Sequence, residues 1–278
     1  MSKPAVLTEY RCSSAKLKQP IVIAQISDVH ARRCDDILAM LEKLRPDLIA
    51  VTGDVLERYA EGRMPDYKMR FNSFRRLFVR LAFFLNYAFV NLFCRRNLPD
   101  SAHAYDLLGG AAKIAPVVMS LGNHEQELTA EDYAFLRKNR ITLLDNADCT
   151  LVVKGNVLRV GGLSTAADVE WLARFAAKDG YKLLLAHHPE YFDTMIADQA
   201  IDLTLAGHNH GGQIRLFGRG WFSAGGGFKP KYDKGFFGGR LIVSAGCSNT
   251  VAMPRLHNPR ELVAVHVSCA KQIDTQRG

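Results

Sequence analysis

The sequence has no closely spaced cysteines. Its six cysteines stand singly along 278 residues, and no two of them form a Cys-x-x-Cys motif. Scattered cysteines in a chain of this length are typical of reduced thiols, so we expect a cytosolic protein without a disulfide framework. The first twenty residues contain no continuous apolar segment. We therefore expect no signal peptide.

A transmembrane-length apolar run is also missing. The charge-free stretch Leu81–Cys94 is shorter than the roughly 20 residues that a membrane-spanning helix needs. Internal repeats and low-complexity tracts are absent, and a hydrophobic content of 48% is that of an ordinary globular chain. We predict a single domain over residues 1–278 with an inserted segment at about 60–100.

What the sequence does contain is five short apolar runs that each end in polar residues. They are Ile21–Ser27 before Asp28-Val29-His30, Leu48–Thr52 before Gly53-Asp54, Val117–Leu121 before Gly122-Asn123-His124-Glu125, Leu183–Ala186 before His187-His188, and Leu203–Ala206 before Gly207-His208-Asn209-His210. Such runs predict buried strands. Because ligands bind at the carboxyl ends of strands in open α/β sheets, we expect these polar side chains to converge on a metal centre.

The spacing within the polar clusters supports a metal centre. Asp28 and His30 are two residues apart, as are His208 and His210, and on an extended chain such pairs face the same way. Mixed imidazole, carboxylate and amide ligands suit Mn, Fe or Zn. Because the candidates outnumber the ligands of one tetrahedral ion, we predict two divalent ions that share a carboxylate.

The order of these motifs, from Asp28 to Gly212, resembles that of the calcineurin-like metallophosphoesterase superfamily. The Gly-rich stretch that follows and residues 243–259 are similar to a bacterial branch of small phosphodiesterases. The resemblance implies a four-layer α/β/β/α sandwich. It also implies a dinuclear-metal-dependent hydrolase of phosphodiester or pyrophosphate bonds.

The resemblance implies a role for each polar residue. One metal would be held by Asp28, His30, Asp54 and His210, and the other by Asp54, Asn123, His187 and His208. Asp54 would bridge the two ions, and His124 would act as an acid outside the metal shell. His187 is preferred over His188 because it comes first after its strand. Manganese is the expected metal, with zinc and iron as alternatives.

Two positions depart from the pattern that the resemblance implies. Asn209 stands between the paired histidines where threonine is frequent, and Glu125 stands where aspartate is frequent. Neither replaces a metal ligand. Arg255 is a candidate for phosphate binding through its planar fork, and the alternative for it is a structural ion pair.

The inserted segment is basic, aromatic and apolar. Tyr67–Leu98 contains seven Lys and Arg residues and no acid, against a net charge of +8 for the whole chain. Its apolar residues have helical spacing. A core or dimer helix and a membrane span are two interpretations, but we favour an interfacial helix at residues 68–98 on an anionic membrane surface. Because the basic charge is local and its face apolar, we expect no nucleic-acid partner.

A membrane-bound insert leads to a substrate hypothesis. We expect a peripheral protein on the inner face of the cytoplasmic membrane that hydrolyses a lipid-linked substrate. UDP-2,3-diacylglucosamine is the candidate, because this branch resembles the UDP-2,3-diacylglucosamine pyrophosphohydrolases of lipid A synthesis. The alternatives are a phosphodiesterase acting on soluble nucleotides or cyclic nucleotides, a nuclease, and a membrane-docked interaction module with a vestigial metal site.

Local patterns predict the remaining elements. We expect helices at Cys34–Leu44, Thr129–Asn139, Ala167–Lys178 and from Pro189 to about Ala197, with Thr129 as an N-cap. The Gly-rich run Gly218–Gly239 is expected to be a long loop, either a rim over the site or a plain surface loop. Leu241–Ser244 and Leu262–Val267 are expected to be strands that close the second sheet.

Overall fold

The computed structural model describes residues 4–59, 100–223, 227–248 and 255–270. The strands are β1 (Val6–Ser14), β2 (Ile21–Ile26), β3 (Leu48–Thr52), β4 (Val117–Ser120), β5 (Thr142–Leu144), β6 (Ala147–Val153), β7 (Asn156–Leu163), β8 (Tyr181–Ala186), β9 (Leu203–Ala206), β10 (Arg215–Leu216), β11 (Arg219–Gly220), β12 (Phe222–Ser223), β13 (Gly227–Phe228), β14 (Gly235–Phe237), β15 (Leu241–Val243) and β16 (Glu261–Cys269). The α-helices are α1 (Asp35–Leu44), α2 (Ser101–Ala112), α3 (Ala130–Lys138) and α4 (Val169–Ala176).

The strands form two six-stranded mixed sheets. The first has the order β1-β16-β2-β3-β4-β5 and the second the order β14-β15-β9-β8-β7-β6. Strands β2 to β5 are parallel to one another in the first sheet, as are β15, β9, β8 and β7 in the second. The carboxyl ends of the parallel strands in each sheet therefore share one edge.

The sheets are covered on both faces. In β3, Leu48 and Ala50 contribute to the core between the sheets, whereas Ile49 and Val51 pack under helices α1 to α3. Helix α4 covers the outer face of the second sheet through Phe175 and neighbouring residues. This arrangement is a four-layer α/β/β/α sandwich, as predicted. Its central strands read as continuous apolar runs because both of their faces are buried.

The helix boundaries follow local signals. Helix α3 begins with a capping box in which the Thr129 side chain accepts from the Asp132 amide and the Asp132 carboxylate accepts from the Thr129 amide. The Asp132 carboxylate also accepts a bidentate pair of hydrogen bonds from the Arg58 guanidinium, at 2.7 and 2.8 Å. This contact fixes the loop after β3 against the start of α3.

The structure corrects two details. Strand β16, which contains Leu262–Val267, lies in the first sheet between β1 and β2 and not in the second. The alternating pattern of this segment identifies it as a strand, but the pattern does not indicate which of the two sheets the strand joins. The helix predicted from Pro189 is a five-residue π-helical turn, Phe192–Ile196. The insert predicted at about 60–100 lies outside the described residues, so the single-domain assignment stays a prediction.

Candidate metal centre

The predicted ligand residues meet at the shared edge of the two sheets. Asp28 and Asp54 follow β2 and β3 of the first sheet, and His187 and His208 follow β8 and β9 of the second. The Asp28 carboxylate accepts a hydrogen bond of 3.1 Å from the His208 amide. Since that bond joins a loop of one sheet to a loop of the other, the strand ends form one site.

The backbone at this edge is not extended, contrary to the sequence-based expectation. Five of the candidate ligands have left-handed φ angles, namely Asp28 (53°), His30 (52°), Asp54 (53°), His208 (69°) and His210 (47°). Non-glycine residues rarely adopt this conformation, and it concentrates at functional sites. It turns the chain back over the sheet edge, so the paired residues converge through tight turns and not through strand alternation.

One cluster of ligand atoms consists of Asp28, His30 and His210, all three buried. The Nε2 atoms of His30 and His210 are 3.2 Å apart. His210 Nε2 is also 3.5 Å from Asp28 Oδ1. Three ligand atoms from two sheets thus face one small volume.

A second cluster consists of Asp54, His187 and His208. His187 Nε2 is 3.1 Å from Asp54 Oδ2 and 3.3 Å from His208 Nδ1. The same Asp54 oxygen is 3.8 Å from His30 Nε2 in the first cluster. Asp54 therefore lies between the two clusters, in the position required of a shared carboxylate.

The donor set fits two divalent cations. His30 Nδ1 donates to Glu57 Oε1 and His187 Nδ1 donates to the Thr52 carbonyl, both at 2.8 Å, so each Nε2 presents a lone pair. Nitrogens bound 2.0–2.1 Å from one tetrahedral ion are about 3.4 Å apart, close to the separations observed here. Asn123 Oδ1 is buried and has no hydrogen-bond partner among the described residues, as expected of an amide oxygen reserved for a cation.

The electrostatics favour neutral imidazole ligands at two positions. Burial and neighbouring histidines keep the pKa of His208 well below its usual value. Burial also lowers the pKa of His210 to about 3. Neutral imidazole is the form that binds metals. At His187 burial opposes the charge, but Asp54 raises the pKa to about 10, and a cation beside Asp54 would take the place of that proton.

The two adjacent histidines, His187 and His188, have different surroundings. His187 belongs to the second cluster, whereas His188 belongs to none of the ligand clusters found in the described part of the chain. His188 lies edge-on against His187 and His208. Burial and the charge of His187 lower the pKa of His188 to about 3. Its position is that of a neutral neighbour of the ligands.

His124 forms a further group of candidate ligand atoms with His30 and Asp54, and it is also paired with acids. Its Nδ1 is 2.9 Å from Glu57 Oε2 and contacts the Tyr59 hydroxyl, and its Nε2 is 3.7 Å from Asp54 Oδ2. Burial opposes a charge on the ring, but Asp54 and Glu57 raise the pKa of His124 to about 9. The two acids thus favour the protonated imidazole of His124, which is the form that a proton donor requires.

Glu57 is a site residue that the sequence analysis missed. One of its carboxylate oxygens binds His30 and the other binds His124. Burial opposes its ionisation, but hydrogen bonds from the two histidines hold the pKa of Glu57 well below its usual range. The only signal in the sequence is an acid three residues after Asp54, which by itself indicates nothing about its partners.

We expect Glu57→Gln to weaken metal binding and turnover together, each by roughly 10- to 100-fold, as for other groups that orient metal ligands. Loss of the carboxylate also lowers the pKa of His124, so activity should begin to fall at a lower pH on the alkaline side. Metal titration and a profile of kcat against pH measure both effects. If kcat fell at the same alkaline pH in Glu57→Gln as in the unsubstituted chain, the role of Glu57 in stabilising protonated His124 would be contradicted.

Glu125 organises the loop that carries Asp54. Its carboxylate accepts from the amides of Asp54, Val55, Leu56 and Gly122, at 2.5–2.8 Å. Burial and the Asp54 charge raise the pKa of Glu125 to about 7, and the hydrogen bonds from the Leu56, Gly122 and Asp54 amides oppose that change. The Glu125 side chain therefore holds the backbone of the loops around the proposed metal centre, and we do not assign it as a ligand.

Gly122 packs directly on Asp54, which leads to a second prediction. A Cβ at Gly122 would lie 2.6 Å from the Asp54 amide nitrogen and would also clash with Oδ1 of that residue. We expect Gly122→Ala to displace the shared carboxylate and to reduce the metal content to below two ions per chain. The matched control is Gly109→Ala, where a Cβ meets atoms only at 3.6 Å or more. Equal metal content in both variants would contradict this packing argument.

Arg255 reaches the first cluster. Its Nη2 is 3.2 Å from His210 Nδ1 and donates to the Ser248 carbonyl. Nε and Nη1 are buried and have no hydrogen-bond partner among the described residues, and burial lowers the pKa of Arg255 to about 10. Within that part of the chain Arg255 forms no ion pair, so the structural ion-pair interpretation gains no support.

The Gly-rich run that was predicted as a loop contains short hairpins. Strands β10 and β11 pair with each other, as do β12 and β13. Asn209, between the paired histidines, donates to Glu190 and to the Tyr232 carbonyl. It also accepts from the Ser223 hydroxyl. Asn209 thus anchors the hairpins to the turn that carries His208 and His210.

A comparison with known protein families shows which family the chain belongs to. The sequence profile described as calcineurin-like phosphoesterase matches residues 21–212. The chain belongs to the calcineurin-like phosphoesterase family. Members of this family are hydrolases that act on phosphoesters and use divalent metals. The match contains all seven predicted metal-ligand positions and His124.

Several curated proteins are similar to this calcineurin-like phosphoesterase. The uncharacterized protein YpbG of Bacillus subtilis is 25% identical over 73% of the chain, and phosphodiesterase YaeI of Escherichia coli is 24% identical over 71%. A putative metallophosphoesterase of Caenorhabditis elegans, F40B5.2, is 26% identical over 71% of the chain. The matches span 66%, 63% and 38% of the lengths of these relatives, respectively.

Among solved structures, the sulfate thiohydrolase SoxB of Thermus thermophilus aligns with 89% of this chain and 56% of its own, at 11% identity and a TM-score of 0.48. The protein TT1561, also of Thermus thermophilus, aligns with 82% of this chain and 90% of its own, at 15% identity and a TM-score of 0.42. In the described part of this family member, no helix is long and apolar enough to cross a membrane.

Proposed function

We propose that this chain hydrolyses a phosphodiester or pyrophosphate bond of a lipid-linked substrate with two divalent ions, manganese being the expected metal. One ion would be held by Asp28, His30, Asp54 and His210. The other would be held by Asp54, Asn123, His187 and His208. The observation that carries this proposal is the position of Asp54 Oδ2, within 3.8 Å of both His30 and His187. A single shared oxygen between two imidazole clusters is what a dinuclear site needs.

The ions, when bound, supply charge neutralisation for phosphate oxygens and activate a water molecule. The residues of the chain do the remaining work. Asp28 and Asp54 fix the ligand geometry, and protonated His124 donates its Nε2 proton to the departing oxygen. The negative charge of Glu57 stabilises the protonated His124 ring, so Nε2 keeps its proton until it is transferred to the leaving oxygen. Tyr59 contacts both Glu57 and His124 and restricts the orientation of the imidazole.

Arg255 would bind the substrate phosphate. Its Nε and Nη1 are buried donors without partners in the described residues, and its Nη2 lies next to His210, so each of the two unpartnered nitrogens can donate a charged hydrogen bond to a phosphate oxygen. We expect Arg255→Lys to lower kcat/KM by roughly 10- to 100-fold, the loss of one or two charged hydrogen bonds, while metal content stays unchanged. Steady-state kinetics with metal analysis test this. If Arg255→Lys retained full kcat/KM, the phosphate contact would be excluded.

The proposal of a lipid-linked substrate has two supports. The basic, aromatic segment 68–98 has the composition of an interfacial helix, and the described residues on either side of it border the site. Tyr59 contacts His124, and the Asp100 amide donates to the Ala31 carbonyl, one residue beyond His30. The curated relative YaeI is named a phosphodiesterase. UDP-2,3-diacylglucosamine is the proposed substrate, and the inner face of the cytoplasmic membrane the proposed location.

Two matched substrate pairs test the function. We expect the metal-loaded chain to cleave bis-p-nitrophenyl phosphate faster than p-nitrophenyl phosphate, with manganese compared against zinc and iron. We expect it to cleave UDP-2,3-diacylglucosamine in mixed micelles faster than UDP-glucose, which has the pyrophosphate but no acyl chains. Preference for UDP-glucose or for cyclic nucleotides would favour the soluble-substrate alternative. Inactivity on every diester and pyrophosphate would refute the hydrolase proposal.

A charge-neutralised variant tests the membrane location. Arg75, Arg76 and Arg80 lie in the inserted segment, and their replacement by glutamine removes three of its cations without shortening the chain. Because each cation near an anionic leaflet contributes about 1 kcal/mol, co-sedimentation with anionic vesicles should fall by about two orders of magnitude in affinity. Equal co-sedimentation of both proteins would contradict the proposed role of the segment.

A further inference from the structure

Two short hairpins expose aromatic side chains beside the metal centre. Phe217, at the turn between β10 and β11, is 99% exposed, and Phe228, at the end of β13, is 69% exposed. We call Leu216–Arg219, Trp221, Phe228 and Lys229 the hairpin rim. Isolated apolar residues on a surface are common, but grouped aromatics indicate an interaction site, and Phe228 lies against Trp221 with ring centres 5.9 Å apart.

The hairpin rim is also cationic. Arg219 and Lys229 are exposed, and neither forms an ion pair with the described residues. The Lys229 ammonium lies 4.5 Å from the centre of the Trp221 ring. The acids nearby are engaged, because Asp233 is buried against Arg215 and Asp193 pairs with Lys231. The rim therefore presents positive charge that nothing in the described part of the chain neutralises.

Aromatic rings flanked by free cations match the chemistry of an anionic membrane surface. The rings enter the boundary between headgroups and acyl chains, while Arg and Lys remain among the phosphates. A cavity of about 500 Å³ lined by Phe217, Trp221, Lys229 and Lys234 adds room for a headgroup. The described aromatics of the rim are few, whereas a stable protein interface uses a continuous area of about 800 Å² per partner.

The rim is rigidly connected to the catalytic turn. Gly212 packs against Gly220 of β11 so closely that a Cβ on Gly212 would lie 2.5 Å from the Gly220 Cα. The Trp221 amide donates to the Ile214 carbonyl at 2.8 Å. A membrane surface that binds the hairpin rim would thereby be held next to the turn that carries His208 and His210.

We propose that the hairpin rim is a docking surface for an anionic lipid bilayer, separate from the inserted segment. The docking depends only on exposed aromatics and cations. Its consequence for catalysis, the presentation of a lipid-linked substrate to the metal centre, rests on the proposed function.

Trp221 provides a local probe of this docking. The sequence contains two tryptophans, and Trp171 is 7% exposed in the core under α4. We expect phosphatidylglycerol-containing vesicles with brominated acyl chains to quench Trp221 fluorescence, and pure phosphatidylcholine vesicles to quench it several-fold less. Trp221→Phe should abolish the quenching while the intact core keeps Trp171 emission, which assigns the signal to the rim.

Substitutions distinguish the rim from the insert. Phe217→Ser with Phe228→Ser should reduce the quenching at least tenfold, and Arg219→Gln with Lys229→Gln should remove its dependence on phosphatidylglycerol. The control is Val152→Ser on β6, where the valine is 72% exposed away from the rim, and it should leave quenching unchanged. Co-sedimentation with vesicles in the absence of Trp221 quenching would overturn the proposal, because the chain would then bind the vesicles through a surface other than the rim. Equal quenching by both vesicle types would overturn the anionic specificity.

The unsubstituted chain separates this inference from the proposed function. Hydrolysis of bis-p-nitrophenyl phosphate with added manganese is measured without vesicles, and quenching is measured without substrate. Quenching by a chain that hydrolyses no diester would leave the docking surface in place and refute the chemistry. Hydrolysis without quenching would do the reverse.

Discussion

Replacing Asp54 with alanine is expected to reduce the metal content to one ion or fewer per chain and to lower kcat by about 10³-fold or more. Asp54 Oδ2 lies between His187 and His30, at 3.1 and 3.8 Å, so its removal takes a ligand from both clusters. Loss of one ion removes several kcal/mol of charge stabilisation, and about 4 kcal/mol corresponds to that factor in rate. Metal analysis after dialysis and steady-state kinetics measure the two effects.

Asp54→Asn and Asp106→Ala complete this experiment. The asparagine keeps an oxygen to accept from the His124 amide, as Asp54 Oδ1 does at 2.9 Å, so loss of metal in this variant reports on charge and not on loop structure. Asp106 lies exposed on α2 and its removal should change neither quantity. Two tightly bound ions in Asp54→Ala would refute the shared-carboxylate assignment.

Replacing His124 with alanine is expected to keep both ions and to lower kcat by roughly 10²- to 10⁴-fold, the usual contribution of a general acid. The loss should depend on the leaving group. A p-nitrophenolate departs with little help from a proton, whereas an alkyl alkoxide needs one, so the alkyl diester should lose far more activity. Parallel assays of an aryl and an alkyl phosphodiester give this comparison directly.

His103→Ala, on helix α2, is the matched control for His124→Ala and should leave both substrates unaffected. An equal loss on the aryl and the alkyl diester would indicate that His124 acts on binding and not as an acid. Loss of metal in His124→Ala would instead identify it as a ligand. The experiment can distinguish an acid from a metal ligand, because His124 Nε2 is 3.7 Å from Asp54 Oδ2 and could serve in either role.

Residues that act through others surround these two groups. Glu57 spans His30 and His124, so one carboxylate couples a proposed ligand to the proposed acid. Glu125 gathers four backbone amides around Asp54. Carboxylates with this many hydrogen-bond partners are costly to disturb, so both are positioning residues.

The strands that deliver the site were predictable because their physical signal is local. Strand β9 was predicted at its observed bounds, Leu203–Ala206, and β3 at Leu48–Thr52. A fully buried parallel strand must be apolar throughout and must end where polar groups begin. The capping box at Thr129 was predictable for the same reason, since all its partners lie within three residues.

Other features depend on contacts between distant parts of the chain. The pairing of Glu57 with His124 joins residues 67 positions apart, and no local pattern encodes it. The placement of β16 depends on the backbone groups that β1 and β2 both offer to it, one on each side. The left-handed turns at Asp28 and His208 are held by the amides and carbonyls of adjacent loops, and intrinsic preference, although it tolerates Asp and His in this region, does not specify them.

From the sequence alone, five buried strands that end in polar clusters could be predicted, because burial is a local signal, and the order of the motifs implied a four-layer α/β/β/α phosphoesterase through its resemblance to a known family. Tertiary structure decided the rest. It grouped His187, and not His188, with Asp54 and His208, set one oxygen of Asp54 between two clusters, and brought Glu57 to both His30 and His124. These choices depend on distances of a few ångströms between loops of different sheets, and only the packing of those sheets sets them.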